Sequence, residues 1–243
     1  MRMLTFGKRC AKEVLRDPLN LFFGLGFPIV LLLLLSAIQA NIPVPLFEIE
    51  SLAPGITVFG LSFMTLFSAT LVARDRESAL LQRLYTSPLK ASDFIVGYML
   101  PLLPIAILQC TICYLMAVML GLPVTVRILH AILTIIPFAI FQIALGLLCG
   151  SVLNVKQVGG ICGALLTNLT AWLSGVWFDL DLVGGSFRKI ANMLPYVHAV
   201  ELERAMVCGN YSELWPHIGV VIGYTVVITI GAVLLFLRQM KTQ

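Results

Sequence analysis

Six stretches of this chain, residues 18–47, 51–73, 94–126, 128–155, 157–178 and 214–237, contain no Asp, Glu, Lys or Arg. Each holds the roughly 20 apolar residues that a helix rising about 1.5 Å per residue needs to cross a hydrocarbon core of about 30 Å. A charge at the middle of a spanning helix costs about 2.5–3.5 kcal/mol, which explains why the charged residues collect between the stretches. With 59% hydrophobic residues, 12% charged and a mean hydropathy of +0.98, the composition is too apolar for a water-soluble domain of 243 residues. The pattern predicts an all-α integral membrane protein with six transmembrane helices, folded as one polytopic domain over 1–243. Six crossings place both termini on the same side.

Lysine and arginine set which side, because short loops rich in them stay in the cytoplasm. Arg2, Lys8, Arg9, Lys12 and Arg16 precede the first stretch, Arg74, Arg76, Arg83 and Lys90 lie between the second and third, Lys156 precedes the fifth, and Arg238 and Lys241 follow the last. The opposite face carries only Arg127, Arg188, Lys189 and Arg204. Both termini are therefore expected to be cytoplasmic in a multi-pass protein of the cell membrane, and a bacterial host is expected. The net charge of +4 is an orientation signal and gives no nucleic-acid footprint, since no basic cluster with interleaved aromatics stands in a soluble segment. The first apolar run is longer than a signal-peptide core and no small-x-small site follows it, so cleavage is not expected.

Between the crossings, residues 1–17 place Leu4, Cys10 or Ala11, Val14 and Leu15 on one side and Lys8, Arg9, Lys12, Glu13 and Arg16 around the rest. This predicts an amphipathic interfacial helix ending at Asp17-Pro18, with a simple positive anchor as the alternative. In the external segment 179–216, Phe187, Ile190, Ala191 and Leu194 recur at helical spacing before Pro195, and Ala199, Leu202, Ala205 and Met206 recur before Gly209. Two short external helices follow, re-entrant or capping the bundle. Pro28, Pro101, Pro104 and Pro137 predict kinks. Gly146 with Gly150, Gly159 with Gly163, and Gly219 with Gly223 have the small-xxx-small spacing of close helix packing, within the chain or against a second subunit.

Catalytic chemistry has no foothold in this pattern. His130, His198 and His217 fall near external helix ends without a metal-ligand pattern, so no metal site is predicted. Cys110 and Cys113 have redox spacing but sit inside an apolar helix, where small packing residues are the expectation. Gly60-Leu61-Ser62-Phe63-Met64 and Gly184-Gly185-Ser186-Phe187-Arg188 miss the last glycine of a nucleophile elbow, and Gly7-Lys8-Arg9 is no phosphate loop. The chain is not expected to be an enzyme or to bind ATP. Because the apolar stretches lack the ionisable relays of ion-coupled transporters, energy for any uphill movement must come from elsewhere.

That shifts attention to the cytoplasmic loop 74–93, Arg-Asp-Arg-Glu-Ser-Ala-Leu-Leu-Gln-Arg-Leu-Tyr-Thr-Ser-Pro-Leu-Lys-Ala-Ser-Asp. Leu80, Leu81, Leu84 and Tyr85 fall at helical spacing with Arg76, Glu77 and Arg83 elsewhere, predicting an amphipathic helix that ends before Pro88 and fits a groove on a cytoplasmic partner. Here the sequence resembles the transmembrane permease subunits of the ATP-binding-cassette (ABC) transporter type-2 family, whose loop reads approximately Glu-Arg-Glu-x-Gly-Thr-x-Glu-x-Leu-x-x-x-Pro. Asp75, Arg76, Glu77, Leu84, Pro88 and Gly97 match that pattern, while Ala79, Leu80 and Gln82 depart from it. Six helices, the amphipathic N-terminal helix and Leu194-Pro195-Tyr196 extend the resemblance over nearly the whole chain.

The resemblance implies an exporter permease that moves an amphiphilic small molecule, peptide or lipid-like substrate. It implies two cytoplasmic ABC ATPase subunits carrying ATP and Mg, a second permease copy in a homodimer or heterodimer, and surrounding lipid, with no cofactor in this chain. ATPase coupling would rest on Asp75, Arg76, Glu77, Gln82, Arg83, Leu84, Tyr85 and Pro88. The pathway would draw on Ser62, Thr65 and Ser68 of the second crossing and Thr167, Asn168, Thr170 and Ser174 of the fifth; ordinary interhelical hydrogen bonds are the alternative for each. Phe59, Phe63 and Phe67 are gate candidates, or lipid-facing. Two other classes are a membrane-embedded sensor or scaffold, and a lipid-modifying membrane enzyme, which would need an acidic or histidine cluster.

Overall fold

In the computed structural model, residues 2–42, 47–78, 91–178 and 180–242 are described, and among them there is no strand. Helix α1 spans Arg2–Leu15. The sequence-predicted turn inward holds: Asp17 caps the next helix, accepting from Asn20 N at 3.2 Å, and Pro18 takes the first helical position, where its missing N–H costs nothing. That helix, α2, covers Pro18–Gln39, with a π-helical stretch at Phe22–Gly26 just before Pro28. Then come α3 (Ile49–Glu77), α4 (Ala91–Met119) and α5 (Val126–Val152), the last interrupted at Ile135 before Pro137. Local irregularities thus accompany Pro28 and Pro137, whereas α4 runs on through Pro101 and Pro104.

Helix α6, residues 155–173, starts from an Asn154–Gln157 capping box and passes through a π-helical stretch at Gly159–Leu166. A single turn at Leu180–Val183 leads to α7 (Gly185–Met193) and α8 (Pro195–Cys208), the two short helices expected in the outer segment. Gly209 stops α8 with a φ of +85°, a left-handed conformation that glycine adopts without Cβ strain. The last helix, α9, is Leu214–Thr242.

Five helices among the described residues are long and apolar enough to cross a membrane: Pro18–Gln39, Ile49–Glu77, Asp93–Met119, Val126–Val152 and Tyr211–Arg238. The sixth expected crossing corresponds to α6, whose rise gives a length of about 28 Å but which carries Lys156, Gln157, Thr167, Asn168 and Thr170. The chain is a multi-pass membrane protein.

The five differ in where they face. Helix α3 is central, with 89% of its apolar window buried in protein, while α2 and α9 bury only 22% of theirs and present leucine, isoleucine and valine outward. Close approach of α5 to α3 depends on Gly146 and Gly150, because a Cβ at Gly146 would meet Ser68 Cβ at 2.7 Å and one at Gly150 would meet the Ala69 carbonyl at 2.5 Å. The first glycine pair therefore packs within the chain, and Gly163 lies against Leu66, whereas Gly159, Gly219 and Gly223 have open space around them. Gly146→Val should cost about 1–3 kcal/mol by overpacking, read as loss of the monodisperse peak in detergent size exclusion. Gly223→Ala should leave that peak unchanged.

Candidate functional site

Helix α1 packs one face against the bundle. Phe6, Cys10 and Val14, spaced four apart, form its buried face against α4, while Leu15, expected on the apolar side, is 59% exposed. The Phe6 ring sits where a Cβ on Gly97 would stand, edge-on to Phe94 and Tyr98 at centroid distances of 5.6 and 5.0 Å. This contact carries Arg9 to the last turn of α3. Its guanidinium donates to both carboxylate oxygens of Asp75 at 2.5 and 2.7 Å, and to Glu13 at 3.0 Å.

The Asp75 carboxylate is almost completely buried and accepts a third hydrogen bond from the Tyr98 hydroxyl at 2.7 Å. That hydrogen-bonded carboxylate raises the pKa of Arg9 further, and burial pushes the Cys10 thiol up to about 12, so the latter is an inert packing group. Nearby, Arg74 reaches Asp17 at 3.3 Å across the α1–α2 junction. Because α3 is 29 residues and about 44 Å long, it overshoots a hydrocarbon core, and this network sits at its projecting end.

The next two residues turn the other way. Arg76 donates to the carbonyls of Ser151 and Leu153, the latter at 2.6 Å, and so holds the last turn of α5 and the link to α6. Glu77 accepts from Val155 N at 2.9 Å, at the start of α6. Three consecutive side chains at the end of α3 thus fasten it to α1 and α4 on one side and to α5 and α6 on the other. The remaining sequence-predicted coupling residues, Gln82, Arg83, Leu84, Tyr85 and Pro88, lie outside the described residues, as does the predicted helix that carries them.

Of the seven polar residues singled out at membrane depth, two hold helices together. Thr65 contacts the Gln142 carbonyl and side-chain oxygens at 2.9 and 2.8 Å, and Ser68 donates to Ile143 O at 2.9 Å, both from α3 to α5. Ser62, Thr167, Thr170 and Ser174 donate to carbonyls of their own or the preceding turn and are buried. Asn168 alone of the seven is exposed, on a face of α6 shared with Gly160, Ala164 and Trp172. Phe59 and Phe63 are buried in an aromatic cluster with Phe27 of α2, and Phe59 also meets Trp177 at 5.8 Å. Phe67 packs where a Cβ on Gly24 would stand.

The ABC-2 type transporter description matches residues 2–207. The chain belongs to the ABC-2 type transporter family. A further relative is ABC transporter G family member 20 of Dictyostelium discoideum, 27% identical over 193 residues, which are 76% of this chain and 26% of that protein. The chain spans about a quarter of the length of that relative. As an ABC-2 family member it is a membrane permease of an ABC transporter.

At the opposite end of this ABC-2 fold, the structure assembles groups that sequence spacing did not connect. Glu203 on α8 is fully buried, its carboxyl receiving Tyr114 Oη of α4 at 2.5 Å and Thr134 Oγ1 of α5 at 3.2 Å. Burial pushes its pKa up to about 8, and the two hydroxyls pull partly the other way. The signal was present: Glu203 falls on the same helical face as Ala199, Leu202 and Met206. Arg204 beside it ties α8 to Glu201 at 2.7 Å, to Gly175 O at 3.2 Å and to Ser51 O at 3.4 Å. Among the described residues, no group of three or more His, Cys, Asp or Glu is arranged to hold a metal ion.

Proposed function

We propose that this chain is the membrane-spanning permease of an ATP-driven exporter, with both termini cytoplasmic in the cell membrane. Two copies pair, and two ATP-binding-cassette ATPase units dock beneath the loop after Glu77. The observation that carries the reading is the triple attachment at the end of α3. A displacement delivered there by nucleotide-driven closure is passed to α1 and α4 through Asp75, and to α5 and α6 through Arg76 and Glu77. The positive-inside distribution supports the orientation, because the same end holds most of the lysines and arginines. Helix α6 serves as the sixth crossing. Its exposed face, with Asn168 between small residues and Trp172, suits a pathway shared with the second copy, and its mostly apolar character favours an amphiphile or peptide as cargo.

Reconstitution with the ATPase in proteoliposomes tests this reading. Arg76→Ala should lower transport per ATP hydrolysed by about 2- to 30-fold, while membrane insertion and ATPase binding persist, because it cuts the tie to the α5–α6 link without touching the docking loop. Reversing Glu77 and Arg83 should reduce ATPase capture as well. Unchanged transport in both variants would refute the coupling role.

A further inference from the structure

At the end of the bundle away from the termini, a cavity of about 880 Å³ is bordered by Trp177, Phe178 and the facing sides of α7, α8 and α9. Within it, His198 of α8 and His217 of α9 turn their Nδ1 atoms toward each other at 2.8 Å, with ring centroids 5.1 Å apart and planes inclined at 44°. The distal nitrogen of His198, Nε2, lies 2.9 Å from the Asn192 carbonyl. A carbonyl only accepts, so Nε2 of His198 carries the proton and its Nδ1 lone pair accepts from the Nδ1–H of His217.

A neutral imidazole whose far N–H is held by a backbone carbonyl is oriented as metal-ligating histidines are, and the second imidazole faces it from a different helix. We propose that His198 and His217 bind a divalent transition-metal ion of the zinc class, clamping α8 to α9 on the side opposite the ATPase. Zinc–nitrogen bonds of about 2.0–2.1 Å at a tetrahedral angle place the two nitrogens about 3.3 Å apart. The pair must therefore open by about 0.5 Å, which small rotations of two half-buried rings supply. His217 carries its proton on Nε2 in the bound state, a tautomer change that releases no net proton. Water from the cavity completes the coordination shell.

Hard cations fit poorly. Magnesium and calcium prefer several oxygen ligands, and the carboxylate that borders the cavity among the described residues, Glu201, is already paired to Arg204 at 2.7 Å. Imidazole nitrogen instead selects zinc, copper, nickel or cobalt. The inference concerns a site distant from the ATP-coupling end and does not depend on the direction or cargo of transport.

The test uses the full chain in detergent with Cys208→Ser, which removes the exposed thiol as a competing ligand. At roughly a hundredfold excess of Zn²⁺ over its dissociation constant, the unfolding midpoint should rise by about 5–10 °C, and Co²⁺ should develop visible d–d absorption. His198→Gln and His217→Gln keep a hydrogen-bonding side chain at each position. Each should weaken binding more than about tenfold and abolish both signals while eluting as the parent does in size exclusion. No midpoint rise in the parent, an equal rise with Mg²⁺, or a rise that survives in the double variant would overturn the proposal and leave a hydrogen-bonded histidine pair only.

Discussion

Arg9→Met should destabilise the protein by about 2–4 kcal/mol, because it strands the Asp75 carboxylate, 2% exposed, with Tyr98 as its remaining side-chain partner. Breaking a fully buried pair typically costs about 3–5 kcal/mol; the lower range reflects the 39% exposure of Arg9, which water partly screens. The double variant Arg9→Met with Asp75→Asn should recover much of the loss, since a neutral amide in the same place still bonds to Tyr98 and leaves no buried charge. A thermal-unfolding cycle over the four proteins in detergent measures the coupling. Additive losses would mean that Asp75 is held by something other than this pair. Because Asp75 is also the joint between α3 and α1, the single variant should weaken transport more than its loss of folded protein accounts for.

Glu203 governs the second large effect. Its folded-state pKa of about 8 stands above the ordinary 4.5, so the folded protein holds a proton that the unfolded chain has released between those values. Stability from this group is complete below pH about 4.5, declines by at most about 1.4 kcal/mol per pH unit through the window, and is fully lost above pH about 8. The unfolding midpoint should accordingly fall between pH 6 and 9. Glu203→Gln, neutral at every pH and able to bond Tyr114 and Thr134, should flatten that fall and be the more stable protein at pH 9. Glu203→Ala should instead lose about 1–3 kcal/mol at pH 6, since the buried hydroxyl of Tyr114 loses its partner. If Glu203→Gln retained the full pH dependence, another group would be responsible.

Much of the architecture was legible because membranes impose length and polarity one segment at a time. The end of α1 at Asp17-Pro18, the outer helices before Pro195 and Gly209, and the packing of Gly146 with Gly150 all follow from local rules: a cap, a fixed φ, a missing Cβ. The site was less legible. Asp75, Arg76 and Glu77 were recognisable as a motif, yet nothing in their spacing told that one is buried and the other two grip a distant loop. Ser62, Thr65 and Ser68 share a helix with the aromatic candidates, but which neighbour each faces depends on the rotation of α3 within the bundle. Glu203 escaped notice because an acidic residue in an external segment reads as solvated until a tertiary neighbour covers it.

The sequence by itself determined the all-helical class, the apolar segments and the family, since hydrophobic length and a short loop motif are properties of contiguous residues. Only the tertiary structure decided the partners. Arg9 meets Asp75 across 66 positions, Arg76 meets Leu153 across 77 and Tyr114 meets Glu203 across 89. The physical reason is that a buried polar group must find a hydrogen bond wherever packing brings a donor or acceptor, and packing is set by the shapes of whole helix faces.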